Sequence, residues 1–355
     1  MKMLVSAPFD TCANAGIALY IRRVIPQLAK HCDLTVLTPD PLLFSQYGRT
    51  VAIPKGVRYP VRRVLWVLTR LRAYCRADYD VLLCLTPTVA VPAAIPTIAV
   101  VHDLTPLKAR RLNPVKEKAS FLAGLQSLRL ADRIVADSRS TMDDLTSMRL
   151  LPSWRTTVAF CGPGISPCDE ETDWARRFAP FVLYVGSHAP HKNVIRLIHS
   201  FRRVRAEVNL KLVLVGSGSN EQLARAVHAI RADGLESRVI LLSGVSDTQL
   251  SILYRHCRLL ACPSVYEGFG LPILEAMLHG AAVACSLTSS LPEVAGEAAL
   301  LFDPYSVNDI ADKLQTLLDR PSLATQLGKA ALGRAARFTW ERTASTIYEC
   351  AAGLT

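Results

Sequence analysis

The sequence predicts an α/β protein of two domains, each a parallel β-sheet covered on both faces by helices. Three observations predict it: the length, an alternation of short apolar runs with helical segments, and a restart of that alternation beyond a Pro- and Gly-rich break. At 355 residues the chain exceeds the roughly 250–300 residues that one core encloses. Half of the residues are hydrophobic and a fifth are charged, which is the profile of a folded chain.

In the first half, strands are expected over residues 2–7, 33–37, 81–85, 97–101 and 133–137, with a helix over 16–30. The break is Cys161-Gly162-Pro163-Gly164-Ile165-Ser166-Pro167, where Pro and Gly interrupt both kinds of regular structure. Beyond it the pattern resumes, with strands over 181–185, 211–215, 239–241, 259–262 and 282–285 and helices over 193–207 and 221–233. The expected division is residues 1–165, residues 166–338, and a C-terminal helix in 339–355 that packs back on the first domain. Ligands of open parallel sheets sit beyond the carboxyl ends of the strands, so the binding site is sought in the loops there, in a cleft between the domains.

No apolar run reaches the ~18–20 residues of a membrane-spanning helix, and the N-terminal run is too short for a signal peptide. A cytoplasmic protein is the expectation. The ten cysteines show no Cys-x-x-Cys spacing and are read as reduced core thiols.

Two loops carry most of the chemistry. Pro263-Ser264-Val265-Tyr266-Glu267-Gly268-Phe269-Gly270-Leu271-Pro272-Ile273-Leu274-Glu275 follows a strand, turns through two glycines and opens a helix whose first amides suit anionic oxygens. Glu267 precedes the turn, and Glu275 lies two helical turns beyond it. Gly186-Ser187-His188-Ala189-Pro190-His191-Lys192-Asn193 brings a lysine to a helix mouth, a phosphate clamp that needs no metal.

These segments resemble the Glu-x7-Glu signature and the lysine-bearing loop of the retaining family-four glycosyltransferases, among them bacterial mannosyltransferase-like members. The likeness extends along essentially the whole chain, including Ser289-Ser290-Leu291-Pro292-Glu293-Val294-Ala295-Gly296. It implies the GT-B fold: two Rossmann-like domains, an acceptor-binding N-terminal one and a nucleotide-sugar-binding C-terminal one, with sheets facing across a cleft. It gives Glu267 the donor sugar hydroxyls, Glu275 the ribose and Lys192 the diphosphate, and places Gly186, His191, Gly268, Phe269, Gly270 and Leu271 around the donor. Arginines usual in the second loop are here Ser187 and His191; a compensating His191 would weaken donor binding above pH ~6.5. In the first domain, Asp10-Thr11-Cys12-Ala13-Asn14-Ala15-Gly16 matches the family's more glycine-rich loop, with Gly16 near the donor phosphate. His102-Asp103-Leu104 resembles the His-Asp-Leu of mannosyltransferases, which sets His102 against sugar and acceptor and makes His102, Lys192 and Glu267 the catalytic group.

The implied reaction is metal-independent hexosyl transfer, with retention, from GDP-mannose (slightly favoured) or a UDP-sugar, in the assembly of a polysaccharide or glycoconjugate. No cofactor is expected. Val215-Gly216-Ser217-Gly218 lacks the third glycine of a dinucleotide fingerprint, and Asp78-Tyr79-Asp80 precedes a strand, unlike a metal-binding Asp-x-Asp.

The net charge of +11 resides in residues 1–165, which hold 22 Lys+Arg against 11 Asp+Glu; the remainder is balanced. Such a field draws polyanions. Around Arg62, Arg63, Trp66 and Arg70 cationic and apolar residues alternate as on an amphipathic helix, which could hold the protein peripherally on an anionic inner membrane face and near a lipid-linked glycan. A solvated helix packed on its own sheet fits the same pattern. Two rival readings stay open: a nucleotide-sugar-binding protein without transfer, and a nucleic-acid binder. The second rests on charge alone, with no binding motif, so nucleic acid is not an expected partner.

Overall fold

Short runs of Val, Leu, Ile and Ala that are apolar on both faces form strands only when helices cover both sides, and parallel sheets do this. A computed structural model of the chain describes residues 1–9, 16–88, 94–108, 115–149, 152–168, 173–205 and 209–355. The described residues form two compact units: unit 1 is made from Met1–Lys108, Leu112–Gly162 and Thr339–Thr355, and unit 2 from Pro163–Phe338.

Unit 1 contains β1 (Lys2–Ser6), β2 (Asp33–Thr38), β3 (Arg49–Ala52), β4 (Val81–Cys84), β5 (Thr97–Val101), β6 (Arg133–Ala136) and β7 (Thr156–Val158). They pair in parallel in the order β3-β2-β1-β4-β5-β6-β7. The central register, Val5 opposite Val36 and Leu83, places fully buried side chains across three strands. The helix Gly16–Leu28 buries Ala18, Tyr20, Ile21, Val24, Ile25 and Leu28, the three- and four-residue spacing of one helical face. The last helix, Trp340–Ala352, packs on it. Trp340 meets the Tyr20 ring edge-to-face at 5.3 Å, and Thr343 Oγ1 donates to the Phe160 carbonyl at 2.6 Å. A side chain at Gly162 would collide with Trp340, so this close approach requires glycine.

Unit 2 repeats the plan with β8 (Phe181–Val185), β9 (Lys211–Val215), β10 (Val239–Leu242), β11 (Leu259–Cys262), β12 (Val283–Ser286) and β13 (Leu300–Phe302), in parallel, in the order β10-β9-β8-β11-β12-β13. Its core joins Val182, Leu197, Phe201, Leu212, Leu259 and Ile310. Ser219 and Ser246 each start a helix with a reciprocal capping box to a glutamine three residues on.

The α/β reading with two parallel sheets is what the chain adopts. Three strands, β3, β7 and β13, were not expected, and all three lie at sheet edges. Asp80 takes the polar strand-entry role: its carboxylate accepts from the Lys2 backbone amide at 2.7 Å. Among the described residues no helix is long and apolar enough to span a membrane, and no group of three His, Cys, Asp or Glu could hold a metal ion.

Candidate functional site

In unit 2, β8, β9 and β10 run outward in sequence, and the chain then returns to place β11 on the other side of β8. The switch point lies at the carboxyl ends of β8 and β11, where neighbouring loops diverge and leave a crevice. The loops there are residues 186–193 and 263–270.

The structure brings Lys192 and Glu267 together at this point. Lys192 Nζ donates to both carboxylate oxygens of Glu267, at 2.6 and 2.8 Å, and the two side chains are 20% and 12% exposed. Burial works to raise the Glu267 carboxyl, but the Lys192 ammonium and the hydrogen bonds of Lys192 and Ser264 outweigh it and hold it below the usual range. The loops are stitched by the Val265 amide donating to the His191 carbonyl at 2.8 Å, and by Asn193 Nδ2 donating to the Pro263 carbonyl at 3.0 Å. Ser290 Oγ donates to the carbonyls of Glu267 (3.0 Å) and Phe269 (2.8 Å), which fixes the turn containing Gly268.

Gly270 has φ +114°, and a Cβ there would sit 2.8 Å from Leu291, so the turn requires glycine on both counts. It precedes the helix Leu271–Leu278, which has no side-chain cap at its amide end. Amides at such an end suit anionic oxygens. Gly216 permits an equally close approach, since a Cβ there would lie 1.9 Å from the Gly186 carbonyl oxygen. The loop after β9 therefore presses backbone to backbone against the loop after β8.

Glu275 is buried, and its carboxylate is occupied by the protein itself. Tyr254 Oη donates to Oε2 at 2.8 Å, and the backbone amides of Gly164 and Ile165 also hydrogen-bond to the group. Burial, only partly offset by these bonds, pushes the carboxyl up to about 7. The sequence gives no sign of Tyr254, because nothing in its spacing marks it as a partner of Glu275.

In unit 1, His102 is buried with both ring nitrogens committed: Nδ1 lies 2.7 Å from Asp137 Oδ2 and Nε2 lies 3.2 Å from the Leu85 carbonyl oxygen. Burial disfavours the charged ring, but Asp137 and the Leu85 carbonyl prevail and raise it above its usual value. For His102 to meet a sugar, one of these bonds has to be exchanged. Gly16 is the exposed first residue of its helix, with none of the described residues within 4 Å of where a Cβ would stand; the expected phosphate loop Asp10–Ala15 lies outside the described residues.

The basic helix forms over Pro60–Arg70, but its exposed face differs from the expected one. Trp66 is buried and packs near Tyr74, with ring centroids 6.1 Å apart, and so cannot serve as an interfacial anchor. Arg63 lies over the Phe9 ring at 4.4 Å, and burial lowers its guanidinium to about 10. Arg62 and Arg70 are exposed, and the apolar groups beside them are Tyr59, Val61 and Leu65. Alternation alone could not say which side of the helix the fold would cover.

Comparison with known proteins gives the following. Residues 15–163 match the model of Glycosyltransferase Family 4, and residues 175–334 match that of Glycosyl transferases group 1. The chain is 32% identical over 279 residues, 74% of its length, to the serotype-specific mannosyltransferase WbdA of Escherichia coli, and it spans about a third (34%) of that relative. It is 29% identical to the O-antigen chain mannosyltransferase B of Escherichia coli, covering 85% of this chain and 83% of that one. Among solved structures, sucrose-phosphate synthase from Thermosynechococcus elongatus superposes with a TM-score of 0.80 at 21% identity, covering 100% of this chain and 99% of that one. The Anabaena HepE protein, solved with UDP and glucose, gives 0.79 at 18% identity over the full length of both chains.

Proposed function

This chain is a GT-B protein of the group 1/family 4 glycosyltransferase type, and from that premise we propose that it transfers a hexose from a nucleoside diphosphate sugar to an acceptor hydroxyl with retention at the anomeric carbon. The observation that carries this reading is the partly buried Lys192–Glu267 pair at the switch point, beside the uncapped helix at Gly270. Lys192 and the helix amides stabilise charge on the departing diphosphate, and Glu267 accepts from sugar hydroxyls. The C1–O bond to phosphate breaks, the acceptor oxygen attacks from the same face, and its proton passes to the released phosphate oxygen. No metal enters this scheme. Glu275 takes the ribose hydroxyls in exchange for one of its present partners.

Mannose is the favoured sugar because two relatives carry mannosyltransferase names; the second choice is a UDP-sugar, the kind of ligand found with HepE. The O-antigen chain name of one relative supports a glycan acceptor in cell-surface polysaccharide assembly; a lipid-linked form of it, met at the inner membrane face, is our reading of the basic helix. A binding protein without transfer is favoured only by Ser187 and His191 standing where the family has arginines.

The test is nucleotide release from GDP-mannose and a panel of UDP-sugars, with and without EDTA, followed by NMR of the product anomer. Release that depends on acceptor, survives EDTA and yields the donor's anomeric configuration supports the reading. Binding without release favours the non-transferring alternative, an inverted anomer removes retention, and activity restored by manganese after EDTA removes metal independence.

A further inference from the structure

His188 belongs to the loop after β8 yet has no part in the scheme above. Its amide donates to the Ser217 carbonyl at 3.0 Å, and its Cβ lies 3.0 Å from where a Cβ on Gly218 would stand, so the residue is wedged between the loops that follow β8 and β9. It is 8% exposed, and neither Nδ1 nor Nε2 has a hydrogen-bond partner among the described residues. Buried polar groups almost always find partners, and one left without them costs the desolvation it underwent. Burial also lowers the ring below its usual range, so it is neutral and offers one N–H donor and one bare nitrogen acceptor. A nucleoside diphosphate carries phosphate oxygens that accept and ribose hydroxyls that donate, which together satisfy both ends of such a ring. The place is consistent: four residues before Lys192, in the same loop, and next to Ser187, where the family's arginine is missing.

We infer that His188 is a further ligand for the nucleoside diphosphate part of the donor, donating to a phosphate oxygen and accepting from a hydroxyl. This rests on the nucleotide-sugar reading and adds to it a polar contact where a cation is absent. The structure thus keeps a polar group uncommitted until the ligand arrives, and the ligand recovers what burial cost.

The experiment is calorimetry of GDP and UDP with the full chain and with His188→Leu and His188→Gln. Leu keeps the bulk and removes both polar atoms, while Gln restores a donor and an acceptor. The expectation is a loss of about ten- to a hundredfold in affinity for His188→Leu, most of it regained in His188→Gln, with the melting temperature of ligand-free His188→Leu at or above that of the parent. A purely structural histidine would give the reverse, a less stable protein with unchanged affinity. Equal affinity in His188→Leu and the parent overturns the inference. A His188→Leu chain that melts lower or does not fold overturns it as well, because a ring without partners leaves the fold no polar bond to lose. If the parent itself binds neither GDP nor UDP, the nucleotide-sugar reading fails and takes this inference with it, an outcome separable from loss in the variant alone.

Discussion

Unit 1 holds His102 between Asp137 and the Leu85 carbonyl, with both nitrogens bonded, whereas unit 2 buries His188 with neither bonded. Both residues follow a central strand of a parallel sheet, and both are buried. The first is part of the fold's own hydrogen bonding, and the second is a cost the fold carries. A buried ring whose bonds are complete stabilises its unit without a ligand; a ring whose bonds are missing gains only when something else supplies them. The acidic residues of unit 2 show the same contrast at closer range: Glu267 is charged against Lys192, whereas Glu275 is held by neutral donors and takes up a proton near neutrality.

The largest effect that sharpens this contrast is expected at Lys192. Lys192→Ala leaves the partly buried Glu267 carboxylate without its ammonium partner; breaking a fully buried pair costs about 3–5 kcal/mol, and the loss here is expected toward the lower end of that range. Thermal unfolding of Lys192→Ala and of Lys192→Ala with Glu267→Gln checks it. The double variant is expected to recover most of the stability and none of the nucleotide affinity; an equal loss of stability in both would show that the pair's charge is not what matters.

A somewhat smaller effect concerns pH. The Glu275 carboxyl is raised in the fold from an ordinary value near 4.5 to about 7, so its contribution to stability is fully present below pH 4.5 and is lost as pH rises through 7. The expected total is on the order of 3 kcal/mol. Glu275→Gln, which cannot ionise, should flatten this part of the melting curve between pH 5 and 8. An unchanged slope would place the pH dependence elsewhere.

The smallest effect concerns the exposed face of the basic helix. Arg62 and Arg70 are outward, and basic residues near an anionic membrane contribute about 1 kcal/mol each. Arg62→Gln with Arg70→Gln should reduce co-sedimentation with phosphatidylglycerol vesicles at low salt without moving the melting temperature. Arg63→Gln should do the opposite, because Arg63 packs over Phe9. Equal sedimentation of the first variant and the parent would make this face an ordinary solvated surface.

Much of the fold was readable because central strands of parallel sheets are buried on both sides and appear as unbroken apolar runs. The edge strands β3, β7 and β13 are short and partly exposed: Arg49–Ala52 and Thr156–Val158 carry no such run, and Leu300–Phe302 is apolar throughout but only three residues long. Lys192 and Glu267 stood out for a different reason: they sit in the post-strand segments that resemble the family's lysine-bearing loop and Glu-x7-Glu signature. The bonding of His102, the orphaned state of His188 and the hold of Tyr254 on Glu275 were not legible, because each depends on partners brought from distant parts of the chain. Trp66 shows the limit of alternation, since a helix with two apolar flanks does not declare which one the core will take.

The helix Trp340–Ala352, set against Gly16–Leu28, has a consequence for the order of assembly on the ribosome. Unit 1 is discontinuous in sequence, while unit 2 lies almost wholly within one stretch, Pro163–Phe338. At about 5–20 residues per second, the ~180 residues after Gly162 take roughly ten to forty seconds to synthesise. Throughout that interval the nascent N-terminal segment lacks the helix that brings Trp340 against Tyr20, and the apolar surface it will cover is open to chaperones. The later-made unit therefore has every residue it needs first, and the earlier-made one closes only when the final helix emerges.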